Sequence, residues 1–176
     1  PEDISFQANL DWLLANKKEA NDHSVVWFLD VPNAYNDVFT NSPWSSAYIQ
    51  ANILEALLKN RDLGNLDSHI INGAHAYGNK VEDGGLLSLD KRNFYFFEEV
   101  PNRTHILNAH LVSITTINKI LKTFPDKKMN YLKIEGLKSI KHFLYNYNTG
   151  YWSRYDQNPK KEILFQIDWL SGDKSP

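Results

Sequence analysis

The sequence predicts a mainly α fold in which paired helices stack around an axis, with one β-hairpin between them. Apolar residues recur at helical spacing in successive segments that short links join. One stretch of apolar runs with turn residues at its centre interrupts this pattern and is typical of a hairpin. Helices therefore make up most of the predicted structure.

Proline and serine positions set the helix boundaries. Pro43 precedes the second helix, where Ser45 or Ser46 can cap the first turn, and Pro125 ends the fourth helix. Gly136 lies within the fifth helix and costs it about 1 kcal/mol relative to alanine. The predicted helices cover residues 4–16, 45–60, 66–77, 105–124 and 126–146.

Two other segments separate these helices. Residues 86–99 predict a hairpin of two short strands, with turn residues between two apolar runs. Residues 25–43 read as a long irregular loop, because Pro32 and Pro43 break regular structure, and such loops often carry function. A last apolar segment at 160–170 is either a helix or a strand.

Length and composition indicate one soluble domain. The 176 residues are 42% hydrophobic and 23% charged, which is enough for a proper core. A net charge of −2 and a pI near 6.3 argue against a nucleic-acid partner. No apolar run is long enough for membrane insertion, and the lack of cysteine fits any compartment. Because the chain starts without methionine and stops at SGDKSP, residues 1–176 read as one domain excised from a longer polypeptide.

No sequence pattern indicates a cofactor or a metal. The histidines lack His-Glu-x-x-His spacing, and His105 and His110 are too far apart in register to share a helical face. Neither a glycine-rich phosphate loop nor a Gly-x-Ser-x-Gly elbow occurs. We therefore expect neither a cofactor nor a metal ion.

Aromatic and polar side chains crowd the segments outside the helices. Trp44 precedes a helix, residues 94–97 read FYFF, and residues 147–156 read YNTGYWSRYD. Rings stack on sugar faces, while carboxylates and guanidinium groups bind hydroxyls or a uronate. For any single ring, simple closure of the core is the commoner role. For the cluster as a whole, glycan binding and packing are about equally favoured.

Two adjacent acids, Glu98 and Glu99, end the aromatic run. Neighbouring side chains on a strand point to opposite faces, so these two carboxylates cannot form an acid/base pair with each other. Each glutamate needs a partner from elsewhere in the chain.

Four segments match a family pattern in order. PWSSAYIQANILEALL is similar to a Trp-x-Ser-Ala segment followed by Gln and an apolar helix, and GGLLSLDKRNFYFFEEVP to a Gly-Gly, short-strand, Phe-Glu-Glu-Tyr-Pro block. HILNA is similar to a Val-Leu-Asn-Gly helix start, and YNTGYWSRYD to a Tyr-Asp-x-Gly and Tyr-Asp turn. From about Phe6 to Leu170 the chain thus resembles the C-terminal domain of D-glucuronyl C5-epimerases, which convert glucuronate to iduronate within a polysaccharide.

The resemblance implies an incomplete (α/α) toroid or barrel with the hairpin inserted, whose loops line a groove for an acidic polysaccharide or oligosaccharide. It also implies a β-rich region before the domain in the full-length chain. The catalytic residues that we predict on this basis are Glu98, Glu99, Tyr147 and Tyr155. The predicted substrate-binding residues are Trp44, Gln50, Asn108, Trp152, Arg154, Asp156 and Lys160.

Two positions depart from the family pattern. Val100 stands where the family has a tyrosine after the two glutamates, and Lys160 lies where its last Tyr-His pair should fall. Neither group replaces a tyrosine in proton transfer. Loss of one acid/base group lowers the reaction rate by about 10²- to 10⁴-fold. We therefore expect little or no epimerase activity from the isolated chain unless Tyr147 or Tyr155 takes over the proton transfer.

Three functions follow from these observations. The first is epimerisation of glucuronate, which requires a base, an acid across the sugar ring and a stabilising cation or donor. The second is a non-catalytic glycan-binding or structural domain, and the third, ranked last, is an inverting glycosidase using Glu99 and Asp156. A shared groove should be lined by Trp44, one of the two glutamates, Tyr147, Arg154 and Tyr155.

Overall fold

A computed structural model describes residues 4–20, 22–35, 38–101, 104–150 and 153–157. Within them, each predicted helix is present, with ends that differ by a few residues. The Ser46 hydroxyl caps the second helix by accepting from the Ile49 N–H, and the Asp126 carboxylate caps the fifth by accepting from the Met129 N–H at 2.7 Å. The helices are α1 (Ile4–Ala15), α2 (Ala47–Lys59), α3 (Asp67–His75), α4 (Leu107–Thr123) and α5 (Lys127–Phe143).

The predicted hairpin is also confirmed. Its strands pair antiparallel with Leu87 opposite Phe97 and Leu89 opposite Tyr95. The Asp90 carboxylate accepts from the Phe94 N–H at 2.9 Å, which closes the turn between the strands. The strands of the described residues are β1 (Lys17–Glu19), β2 (Val25–Leu29), β3 (Asn33–Tyr35), β4 (Val38–Thr40), β5 (Trp44–Ser45), β6 (Leu87–Leu89) and β7 (Tyr95–Phe97).

The predicted mainly α, incomplete toroid of paired helices is wrong. Three small antiparallel sheets, β1-β2-β5, β3-β4 and β6-β7, accompany the helices, so the fold is mixed α/β. No toroid is evident in the part of the chain that the structure describes. Most of the difference lies in residues 25–43, which we predicted as a loop and which contain three of the strands, β2, β3 and β4.

The physical reason lies in the pairing of β2. Its residues Val25, Val26 and Trp27 are buried in succession, so the strand lacks the alternation that marks a half-exposed strand. Both of its edges are paired, one with β1 and the other with β5. Those partners are three and two residues long, too short to be recognised in the sequence.

The core lies where α4 packs against both α2 and α5, with α3 and β2 packed against α2 and with β7 of the hairpin packed against α4 and α5. Gly136 permits the close approach of α5 to α4 and to the hairpin. A Cβ atom at this position would lie 3.0 Å from Ile114 Cδ1 and 3.2 Å from Phe97 Cε2. Packing therefore explains why a residue that weakens a helix stands in the middle of α5.

His110 joins the same three elements through both ring nitrogens. Its Nδ1 accepts from the Phe97 N–H at 3.0 Å, and its Nε2–H donates to the Gly136 carbonyl at 3.1 Å. The side chain is 1% exposed, and burial lowers the pKa of His110 to about 4. The neutral Nε2–H tautomer is thus a structural part of the core.

No described helix combines the length and the apolar character that crossing a bilayer requires.

We expect Gly136→Ala to destabilise the protein even though alanine is the better helix former. Crowding against Ile114 should outweigh the gain of about 1 kcal/mol in helix propensity and leave a net loss of about 1 kcal/mol. Urea denaturation measures this difference, with Asn130→Ala on the exposed face of α5 as a control. Stabilisation by Gly136→Ala would contradict the packing argument.

We also expect acid to destabilise the fold through His110. The folded pKa of about 4 lies below the ordinary 6.5, so the unfolded chain binds the extra proton between these values. Stability contributed by neutral His110 is therefore complete above pH 6.5, falls as the pH falls, and is reduced by about 3 kcal/mol near pH 4. In urea titrations across this range, His110→Phe should lose this part of the pH dependence; an unchanged slope would show that His110 does not cause it.

Candidate functional site

A tyrosine and a glutamate from distant parts of the chain meet at the surface. The Tyr155 hydroxyl lies 3.0 Å from Glu99 Oε2 and 3.2 Å from Oε1 and donates to this carboxylate. Glu99 follows the end of β7, and Tyr155 belongs to the segment 153–157. Glu99 is half-buried, whereas Tyr155 is 49% exposed, so the pair is accessible from solvent.

Main-chain hydrogen bonds fix Tyr155 against the start of α4. The Leu107 N–H donates to the Tyr155 carbonyl, and the Gln157 N–H donates to the Thr104 carbonyl, both at 2.9 Å. These two bonds form a short antiparallel pairing between residues 104–107 and 155–157. The position of Tyr155 therefore depends on the loop that leads into α4.

The environment favours the protonated form of both groups. Burial raises the pKa of Glu99, and the hydrogen bond from Tyr155 partly opposes this rise. Burial and the nearby negative charge of Glu99 raise the pKa of Tyr155 to about 12, while a hydrogen bond with the Asn108 side chain opposes the shift. Tyr155 consequently carries its proton at neutral pH and shares it with Glu99.

An aromatic wall formed by Tyr35, Trp44 and Tyr48 stands beside this pair. All three rings pack against a buried cluster of Val100, Ile106 and Ala109. The rings of Tyr35 and Tyr155 have centroids 6.5 Å apart, and the Tyr35 hydroxyl donates to Asp156 Oδ2 at 2.5 Å. Trp44 is oriented by its Nε1–H, which donates to the Val31 carbonyl at 2.7 Å.

Tyr35 and Tyr48 are the residues of this surface that the sequence did not single out. Tyr35 lies in β3, within the segment predicted as a loop, so its place beside Asp156 depends on a contact between residues 121 positions apart. Tyr48 lies in the first turn of α2, whereas Trp44 precedes the helix in β5, so their shared surface depends on how β5 leads into α2.

Glu98 lies in a separate, buried environment. Its side chain is fully buried and accepts a short hydrogen bond from the Ser88 hydroxyl. The backbone N–H of His105 donates to Oε2 at 3.2 Å, and His105 Nδ1 lies 2.7 Å from Oε1. The two adjacent glutamates thus have different partners, one inside the fold and one at its surface.

Tyr147 lies beside the buried glutamate. It is 2% exposed, and its hydroxyl donates to the His105 carbonyl at 2.5 Å. Burial, with a smaller contribution from the charges of Glu98 and Asp156, raises the pKa of Tyr147 above its usual range. The hydroxyl proton of Tyr147 is therefore used in a hydrogen bond to a main-chain carbonyl.

The structure therefore brings together Trp44, Glu99, Asn108, Tyr155 and Asp156, with Glu98 and Tyr147 beneath them. Arg154 belongs to the same segment as Tyr155 and is held by its N–H, which donates to the Tyr147 carbonyl at 2.6 Å. Trp152 and Lys160 lie outside the described residues.

Gln50 is not part of this surface. It is fully buried, and its side-chain amide donates to the Val25 carbonyl at 2.7 Å and the Gly73 carbonyl at 3.0 Å. Its carbonyl oxygen accepts from the Trp27 N–H at 3.3 Å. The structure places Gln50 between β2 and α3, where it satisfies main-chain groups.

Val100 is buried as well. It is 3% exposed and packs with Ile106 and Ala109 under the aromatic wall. At this position the chain contributes packing beneath the surface rather than a polar group on it.

Other features lie away from this surface. An open depression of about 600 Å³ lies near the C-terminal end of α4 and is lined by Asn118, Leu121, Lys122, Pro125, Asp126, Lys127, Asn130 and Lys133. Because α4 starts beside Tyr155, the depression is at the opposite end of this helix. Among the described residues no group of three or more histidine or acidic side chains is placed to hold a metal ion.

Comparison with known proteins gives the class of this domain. The family described as D-glucuronyl C5-epimerase C-terminus matches residues 21–167, so the chain belongs to this family. An uncharacterized protein of Methanocaldococcus jannaschii, MJ1128, is 33% identical over 122 residues, which cover 64% of this chain. The matched region spans 39% of that relative, well under its full length.

We expect Tyr155→Phe to raise the pKa of Glu99 further. The hydroxyl of Tyr155 stabilises the ionised carboxylate, so its removal leaves burial to act without opposition. The pH dependence of the Glu99 side-chain ¹³C resonance reports this pKa. Tyr145→Phe, at a residue that is 83% exposed, is the matched control and should leave the titration unchanged. A lowered pKa in Tyr155→Phe would contradict the hydrogen bond.

Proposed function

We propose that this domain epimerises glucuronate residues within an acidic polysaccharide or oligosaccharide by removing and returning the proton at C5. The observation that carries the proposal is the hydrogen bond between Tyr155 and Glu99 at the surface of a domain of the C5-epimerase family. Family membership supplies the reaction class, and the pair supplies a group able to exchange a proton.

The chemistry requires groups of this kind. Removing the C5 proton breaks a C–H bond and delocalises its electron pair into the uronate carboxylate, giving an enolate-like intermediate. An acid on the other face of the ring then returns a proton. Tyr155 is protonated at neutral pH, and Glu99 can accept or replace its proton through their hydrogen bond. The two act as one proton-exchanging unit.

The surroundings suit a sugar acid. Tyr35, Trp44 and Tyr48 offer aromatic surface on which a sugar ring can stack, and the Asn108 side chain adds hydrogen-bonding groups beside Tyr155. Arg154, next to Tyr155 in the chain, brings a cation to the segment, as an anionic intermediate requires. An acidic glycan is the partner that this combination favours.

Of the two tyrosines that can compensate for Val100, the geometry favours Tyr155. Tyr147 is buried, and its hydroxyl is bound to the His105 carbonyl. Tyr155 is exposed, and its partner is an ionisable side chain. We assign proton exchange to Tyr155 and a supporting role to Tyr147.

The burial of Val100 favours a second candidate, a glycan-binding domain without catalysis. A residue that packs beneath the aromatic wall leaves the wall intact while removing the proton carrier expected at that position. Such a domain would bind the same acidic glycan through the same rings and leave the C5 proton in place.

Isotope exchange separates the two functions. The protein is incubated with a glucuronate-containing polysaccharide in deuterated water, and deuterium at C5 is measured by NMR or mass spectrometry. For the epimerase we expect exchange that falls by about 10²- to 10⁴-fold in Tyr155→Phe and in Glu99→Gln. Tyr145→Phe is the control and should retain the rate of the unaltered protein.

The binding-only function predicts a different result. No variant would exchange, yet the glycan would bind, and Trp44→Ala would weaken binding while Trp12→Ala, which alters a tryptophan 61% exposed on α1, would not. Exchange that survives both Tyr155→Phe and Glu99→Gln would contradict the assignment of these two residues.

A further inference from the structure

The His105 ring is held rigidly at the buried end of the site. It stacks on Phe96 with ring centroids 3.8 Å apart and an interplanar angle of 18°. Its Nδ1 lies 2.7 Å from Glu98, and its carbonyl accepts from the Tyr147 hydroxyl. The backbone has φ of 53°, a left-handed conformation that few non-glycine residues adopt. Two contacts therefore hold the imidazole ring, and the Tyr147 hydrogen bond holds the main chain that carries it.

The hydrogen bonds of Glu98 assign the tautomer of this ring. Glu98 already accepts from the Ser88 hydroxyl and from the His105 backbone N–H. An ionised carboxylate only accepts, so the third contact is satisfied when Nδ1 carries a proton and donates it. In the neutral ring Nε2 then has a free lone pair, the arrangement in which a carboxylate prepares a histidine for proton transfer.

Within the described residues Nε2 of His105 has no hydrogen-bond partner, and because it is not one of their buried unpartnered atoms it keeps some exposure to solvent. The side chain as a whole retains 14% exposure. His110 is the instructive contrast, because both of its nitrogens are bound to the main chain in the core. A purely structural histidine would be expected to use both nitrogens in the same way.

The position of His105 connects it to the surface pair. It lies between Thr104 and Leu107, the two residues whose main chains bond to Gln157 and Tyr155. These two hydrogen bonds hold the loop 104–107 against residues 155–157. One loop thus carries an open imidazole nitrogen beside the segment that carries Tyr155.

We infer that His105 is a second catalytic residue of this domain, exchanging a proton with C5 of the uronate through Nε2. The inference rests on the proposed epimerase function. In one direction Nε2 takes the C5 proton, the C–H electron pair enters the enolate-like intermediate, and Tyr155 donates its proton to the opposite face. In the reverse direction the roles exchange. After a turnover in the first direction, His105 has gained one proton and Tyr155 has lost one, and proton exchange with water restores both groups.

The first test needs no substrate. Long-range ¹H–¹⁵N spectra of protein labelled with ¹⁵N-histidine, recorded where the ring is neutral, identify the tautomer. We expect His105 to show a protonated Nδ1 and an unprotonated Nε2. Glu98→Gln should shift the ring toward the opposite tautomer, because the carboxamide NH₂ seeks an acceptor at Nδ1. A protonated Nε2 in the unaltered protein would overturn the inference whatever the activity.

The second test measures deuterium exchange at C5 of the uronate, and it uses the full natural chain. We expect His105→Gln to lose about 10²- to 10⁴-fold in rate, with glycan binding retained. His142→Gln is the matched control, since His142 also stacks on a phenylalanine, Phe94, but lies exposed on α5. Its rate should equal that of the unaltered protein.

The outcomes distinguish this inference from the proposed function. Full exchange in His105→Gln, with Tyr155→Phe inactive, would overturn the role of His105 alone. Absence of exchange in the unaltered protein would overturn the epimerase function and the inference together. If His105→Gln does not fold, as judged by circular dichroism, the tautomer of the unaltered protein decides.

Discussion

The buried carboxylate of Glu98 is the interaction on which the arrangement of this domain depends. A fully buried charge requires donors, because its removal from water is otherwise too costly. Ser88 in β6 and His105 before α4 supply them. The main chain of Glu98 is hydrogen-bonded as well. Its N–H donates to the Leu86 carbonyl, and its carbonyl accepts from the N–H of Ala47 at the start of α2. One residue therefore ties the hairpin to two helices.

The hydrogen bonds of Glu98 also determine the geometry of the Glu99–Tyr155 pair at the surface. Because Glu98 fixes His105, it fixes the loop from Thr104 to Leu107, and that loop bonds through its main chain to Tyr155 and to Gln157. Glu99, next in the chain, then meets Tyr155. Loss of one partner of a buried charge typically costs about 3–5 kcal/mol, so the geometry of the surface pair is coupled to the stability of the core.

The two glutamates illustrate how environment assigns different tasks to identical side chains. Glu98 is surrounded by donors and is inaccessible, which suits a residue that holds others in place. Glu99 is half-buried, has a raised pKa and shares a proton with an exposed tyrosine. Under the proposed epimerase function this division has a chemical meaning, since moving a proton at C5 needs both a rigid support and an exchangeable proton.

Local patterns in the sequence determined the helices, the β6–β7 hairpin and the separation of Glu98 from Glu99, because each rests on spacing between near neighbours in the chain. The motifs also determined the family. The tertiary structure alone decided that residues 25–43 form strands, that Gln50 is a core residue, and that Tyr35 meets Asp156. These results depend on contacts between distant segments, and such contacts leave no periodic signal in the sequence.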